Sequence, residues 1–208
     1  MYAMNPADDT LYSTAKVIER FIVHLFKCST TLPVPPSYPS SYKLAEYIAQ
    51  VLWAAGVPSL SSHVLIGALI LLNRLKERYP NANSPTGHQF IVPALMISAK
   101  FWDDHDVYSN RAWTVIAQQS ATRREINLME REMCQYLDWD FNMNMGLIRS
   151  FRTALMEDFS HYGSISRDYP IRTKNRWPTV KAAATISTLE SQTAIANTYY
   201  TFTPWVVS

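Results

Sequence analysis

Apolar residues recur three and four positions apart through most of this chain, the spacing of amphipathic helices rather than of strands. The first such segment is predicted over Leu11–Lys27, with Leu11, Ile18, Ile22, Leu25 and Phe26 on its apolar side and Asp9 or Thr10 as the cap. Residues 1–10 are expected to fray. The stretch STTLPVPPSYPSS (Ser29–Ser41) cannot be helical, because each proline removes a donor and restricts the residue before it. It reads as a semi-extended connector, from which the first helix docks on the main domain.

Five helical segments follow closely. One runs from about Tyr42 to Ala55 and stops at Gly56, with Pro58 just beyond. The next is capped by Ser61 or Ser62 and is halted at Pro80; its Val64–Leu72 portion is apolar all round, so it belongs inside a bundle. Gly67 and Ala68 there would admit a close neighbour. A third covers Gln89 to Asp103, with Pro93 either in its first turn or kinking it. Ser109 and Asn110 cap a short fourth helix, Arg111–Gln118, and Thr122 with Glu125 has capping-box spacing at the start of a fifth that ends near Leu137. A further helix is predicted over Met145–His161. Residues 162–208 are polar and weakly periodic, with one candidate helix over Val180–Ser191. No segment alternates well enough to be a strand. The expected fold is all-α, divided into an N-terminal helix and connector (1–41), a helical domain (42–142) and a C-terminal helix with a largely irregular tail (143–208).

Two charges break this pattern. FIVPALMISAKFW (Phe90–Trp102) is apolar almost all round, and Lys100 is its only charge. In TRREINLMEREMCQYL the stripe Ile126, Met129, Met133 and Leu137 marks the buried face, and Glu130 lies beside that stripe rather than on the polar side. A charge buried without a partner costs several kcal/mol or more. Lys100 and Glu130 must therefore pair with each other, reach solvent, or meet something outside the chain. An internal salt bridge pinning two helices and a binding surface are both open on pattern alone.

Composition narrows the classes. A chain of 208 residues with 48% hydrophobic content can bury a sizeable core. A net charge of +2 is too small for a dedicated nucleic-acid or membrane surface. Five glycines leave no Gly-rich phosphate loop. Cys28 and Cys134 lack metal-ligand spacing and read as reduced core thiols. The longest apolar run, Val64–Leu72, is about half a bilayer crossing, and the N-terminus lacks a basic region followed by an apolar one. The expectation is a soluble intracellular protein of nucleus or cytoplasm.

The order of these helices, together with LLNRLKERYP (Leu71–Pro80), ALMISAKFWDD (Ala94–Asp104), YSNRAW (Tyr108–Trp113) and INLMEREMCQYLDWDF (Ile126–Phe141), resembles the cyclin box, and in particular the fungal PCL/PREG-type cyclins. The four pieces span roughly residues 42–142. The resemblance implies a non-catalytic subunit that binds and activates a cyclin-dependent protein kinase, with no cofactor or metal and no nucleic-acid, membrane or small-molecule partner. In that family a lysine of the third box helix and a glutamate of the fifth hydrogen-bond kinase backbone beside its regulatory helix; by position these are Lys100 and Glu130. Asp104 would lie at the edge of the same contact. The chain after Phe141 is too short for a second complete box, and KLAEYIAQVLWAAG does not reproduce the substrate-docking motif of mitotic cyclins, so no docking patch is carried onto Trp53.

Rival readings are a cyclin-like nucleic-acid-associated module, a helical scaffold, and a metal-dependent phosphohydrolase of the HD type. The last would use His105-Asp106 with His63 and His88, although an acidic run closing a helix is more simply solvated. Trp113, Trp139 and Phe141 read as packing residues. Arg123 and Arg124 open the fifth helix as a solvated turn or a contact with acidic residues. The basic cluster Arg167, Arg172, Lys174 and Arg176 serves solubility or steers an acidic partner. Ser84-Pro85 and Thr203-Pro204 have the proline-directed form that such kinases modify.

Overall fold

The computed structural model describes residues 9–31, 43–57, 62–84, 86–102, 108–118, 120–161 and 165–173. Seven α-helices occur among them: α1 (Asp9–Phe26), α2 (Leu44–Ala54), α3 (His63–Arg78), α4 (His88–Trp102), α5 (Asn110–Ile116), α6 (Arg123–Tyr136) and α7 (Met145–Phe159). Among the described residues no helix is long and apolar enough to cross a membrane. Residues 1–8 of the predicted frayed end, most of the Pro-rich connector, the candidate helix at Val180–Ser191 and Thr203 lie outside the described residues, whereas Asp9 and Thr10, expected to fray or to cap, already belong to α1.

The helix ends follow local chemistry closely. Gly56 adopts φ +67° just after α2, the left-handed geometry that glycine accepts without a Cβ penalty. Thr122 and Glu125 form the complete capping box of α6, each side chain satisfying the other's backbone amide. Ser109 Oγ accepts from the Ala112 amide, and Asn144 caps α7 in the same way. Ser62 holds the N-cap position of α3 but its side chain makes no capping bond. The start of α2 is capped from a distance: Glu19 of α1, buried and paired with Lys16, accepts from the Ala45 amide at 3.2 Å. Pro93 lies in the second turn of α4, beyond the first turn, where its missing N–H leaves one carbonyl without its ladder partner.

Helices α3 and α4 form the centre. Every residue from Val64 to Leu75 is buried, as is every residue from Phe90 to Ser98. They meet at Gly67, where a Cβ would collide with Ser98 Oγ and stand 3.0 Å from Trp102 Nε1. Ser98 instead donates to the Val64 carbonyl at 2.7 Å, tying the two helices directly. Helix α6 lies on α4, with Ile126, Met129, Met133 and Leu137 inward, and α5 lies on α6. On the other side α1 packs against α2 and α7, with Phe21 edge-on to Phe151 and Phe159 and Phe26 stacked on Phe90 at 3.9 Å. The first helix is therefore part of the core.

Two loops are held by buried polar groups. Arg74 of α3, only 2% exposed, donates to the carbonyls of Asp140 and Asn142 and to Thr173 Oγ1, at 3.1, 2.8 and 3.1 Å. Burial lowers its affinity for a proton and the nearby Asp140 raises it. The turn it grips contains Asp138 and Trp139 at φ +53° and +57°. Each non-glycine residue in that region costs about 1–2 kcal/mol, which the clamp offsets. This turn corrects one expectation: Trp139 is 65% exposed rather than packed, because the left-handed backbone swings it outward, while Trp113 is buried and Phe141 packs against the core.

The segment 165–173 forms a strap over α1, α3 and α7. Asn73 reads Ile171 through both backbone groups, at 2.6 and 2.9 Å, and Tyr169 stands edge-on to Phe21 and Phe159. Buried Asp158 accepts from the Ser166 amide and hydroxyl, from Arg167 and from Tyr169. Desolvation works against its charge, but those donors prevail and hold the carboxyl down at about 2. Arg167 also pairs with Glu157, and the two acids raise its proton affinity. Arg167 thus belongs to an internal latch rather than to a free basic patch. Arg172 is exposed, and Lys174 and Arg176 lie outside the described residues.

Candidate functional site

Lys100 stands in the last turn of α4, where the helix dipole favours a cation. Glu130 is midway along α6, one turn beyond the buried Ile126. Because α6 packs on α4, the two side chains meet across the contact with Nζ 2.5 Å from Oε1. Both keep access to solvent, at 29% for the lysine side chain and 23% for the glutamate. Of the three fates the pattern left open, they take two: they pair with each other, and they do so at the rim of the helical face.

A third helix completes the cluster. Asn110, the first residue of α5, accepts from Lys100 Nζ through Oδ1 at 2.7 Å. Its Nδ2 donates to Glu130 Oε2 and to Asn127 Oδ1, each at 2.7 Å. Asn127 and Glu130 lie three apart on one face of α6. Neither asparagine stands out for function in the sequence. Asn110 reads there as a helix cap, and nothing in local spacing brings it beside residues 10 and 20 positions away.

The network uses part of its capacity. A lysine ammonium has three hydrogens, and two are spent on Glu130 and Asn110. A carboxylate has about four acceptor positions, and two are taken by Lys100 and Asn110. One charged donor and an acidic acceptor therefore remain at a partly open rim. Phe101, next to Lys100, is 38% exposed, and Tyr108, two residues before Asn110, is 42% exposed. Beneath the pair, Cys134 is buried and free; burial and then Glu130 push its thiol up to about 11, against the pull of Lys100, so it stays protonated and inert. Cys28 is likewise buried and free, its thiol pushed up to about 11 by burial.

The remaining candidates separate from this cluster. Asp104, His105 and Asp106 lie outside the described residues. His63 stands edge-on to Trp102, and His88 is buried against Tyr47. Among the described residues no three His, Cys, Asp or Glu side chains are grouped as a metal site. Ser84 is buried, its hydroxyl donating to the Thr86 carbonyl at 2.9 Å and meeting the Gln89 amide. Arg123 and Arg124 are exposed at the start of α6. Trp53, at the end of α2, is 68% exposed.

Comparison with known proteins points to one family. The cyclin N-terminal domain matches residues 43–142. Two proteins of Saccharomyces cerevisiae are similar in sequence: PHO85 cyclin-1, 29% identical over 122 residues, and PHO85 cyclin-9, 29% identical over 85 residues. The first match covers 56% of this chain and 43% of the relative, the second 39% and 28%. The chain thus spans less than half the length of either relative. No solved structure matches significantly. Nothing in these likenesses supports the nucleic-acid or phosphohydrolase readings.

Proposed function

Because residues 43–142 are a cyclin box, we propose that this chain is the regulatory, non-catalytic subunit of a cyclin-dependent Ser/Thr protein kinase and works inside the cell beside it. The observation that carries the reading is the Lys100–Glu130 pair, formed across two helices and still a quarter open at an apolar rim. The names of the two relatives, both PHO85 cyclins, favour a kinase of that kind as partner. Lys100 and Glu130 are its contacts, with Asp104 at the edge.

The mechanism is a population shift. Kinase chemistry requires the ion pair between the phosphate-contacting lysine and the glutamate of the regulatory helix. A partner that binds only the arrangement containing that pair stabilises it by the difference in its affinity for the two states. Moving a kinase from about 1% to 99% active requires a preference of about 10⁴-fold. That demands an interface of at least about 1,000 Å², far more than one ion pair supplies. The exposed apolar groups beside the pair add area, and the pair adds register and direction. Since the pair is already formed in the free chain, little side-chain ordering is left to oppose binding.

The test is phosphotransfer by purified PHO85 kinase on a protein substrate, with and without stoichiometric chain. The reading predicts stimulation that saturates at one chain per kinase. A rate unaffected by the chain, with no complex on gel filtration, contradicts it.

A further inference from the structure

We infer that Asn110 is a positioning residue for this surface: its amide locks the Lys100–Glu130 pair so that one ammonium hydrogen and the outer carboxylate lone pairs face a single short run of partner backbone. The inference rests on the reading of the pair as the kinase contact, and it adds a residue from a third helix to it.

The argument is one of hydrogen-bonding capacity. Between a cation and an anion the side chain must accept on one side and donate on the other, which an amide does and a carboxylate or an alkyl group does not. Asn110 does both, with Oδ1 toward Lys100 and Nδ2 toward Glu130. The orientation is fixed by charge, since a flipped amide would aim hydrogens at the ammonium and oxygen at the carboxylate. Its second amide hydrogen goes to Asn127, so both donors are used and the group cannot swing out to bind a partner itself. Asn110 therefore acts through the pair.

What remains is specific in kind. One N–H donor on Lys100 matches one backbone carbonyl, and the open lone pairs of Glu130 match a backbone N–H. That combination is offered by any non-proline stretch of main chain whose groups are not already paired, whatever its side chains, so the locked pair recognises an extended or helix-terminal stretch of main chain. Without Asn110, two long side chains regain rotamer freedom that binding must then remove, which weakens affinity about ten-fold.

The experiment is a double-mutant cycle, read as Kd for PHO85 kinase by calorimetry, with the urea midpoint of every variant measured alongside. Asn110→Ala is expected to weaken binding about ten-fold. In the Lys100→Ala/Glu130→Ala background the same change is expected to cost less than about two-fold, because no pair is left to orient. Should Asn110→Ala unfold the chain, Asn127→Ala, which removes only the group holding the amide, gives a smaller loss that likewise vanishes in that background. Weakening by Lys100→Ala alongside wild-type affinity for Asn110→Ala overturns the inference and leaves the kinase reading standing. A loss that persists undiminished in the double background assigns Asn110 a contact of its own and also overturns it. Wild-type binding by Lys100→Ala and Glu130→Ala overturns the assignment of the pair as the kinase contact, and the inference with it, whereas no binding by the native chain overturns the kinase reading itself.

Discussion

At Gly67 a single missing Cβ lets the two central helices touch. The side chain of Ser98 occupies the space a methyl group would need, and its hydroxyl is committed to the Val64 carbonyl. Gly67→Ala must displace Ser98 or separate the helices, so it is predicted to cost about 1–3 kcal/mol despite alanine's better helix propensity. Urea denaturation measures this; an unchanged or higher midpoint would contradict the packing. Ser84 shows the opposite relation between sequence and site. Its neighbour Pro85 gives it the form of a proline-directed phosphorylation site, yet the hydroxyl is buried and bonded to its own loop. Incubation of the folded chain with active kinase should leave Ser84 unmodified, and substantial phosphate at Ser84 by mass spectrometry would show that the loop opens.

Among the elements, α6 carries the most: its capping box starts it, its apolar stripe seats it on α4, and its C-terminal turn is clamped by Arg74. Replacing Arg74 by Met keeps the volume but leaves the carbonyls of Asp140 and Asn142 short of their buried donors. The expected loss is about 3 kcal/mol, read as a lower urea midpoint, with the strained turn at Asp138 and Trp139 the first part to exchange amide hydrogens. A stability within error of wild type would mean that water replaces the guanidinium. The strap 165–173 depends on Asp158. Because its carboxyl is held down at about 2, its contribution is fully present above the ordinary carboxylate range and is lost as pH falls through about 2. Asp158→Asn should make residues 165–173 protease-sensitive at neutral pH, and resistance equal to wild type would refute the latch.

Much of this is legible in the pattern, and the exceptions share a cause. Helix order, the inward stripe of α6 and the all-apolar run of α3 follow from periodicity, which is local. Lys100 and Glu130 stand out because a charge among apolar neighbours conflicts with burial. Asn110 and Asn127 do not stand out, because a neutral amide at a helix start or on a half-exposed face conflicts with nothing nearby. The strap escapes for a similar reason: Asn73 holds Ile171 by its backbone, which leaves no periodicity to read. Trp139 misleads because aromatic residues are usually buried, whereas here the left-handed turn decides its direction.

At the scale of the molecule, α1, α7 and the strap cover one side of the central helices, while α4, α5 and α6 converge at the Lys100 cluster on a rim with exposed apolar neighbours. This arrangement makes the cluster a stiff, partly satisfied patch rather than a flexible one. The most direct test is the affinity of Lys100→Ala and Glu130→Ala for PHO85 kinase by calorimetry, with circular dichroism confirming unchanged helix content. The account predicts that each loses at least about 2 kcal/mol, roughly thirty-fold in Kd, because the partner left behind keeps a half-desolvated charge. Two variants that fold normally and bind the kinase as tightly as the native chain would contradict it.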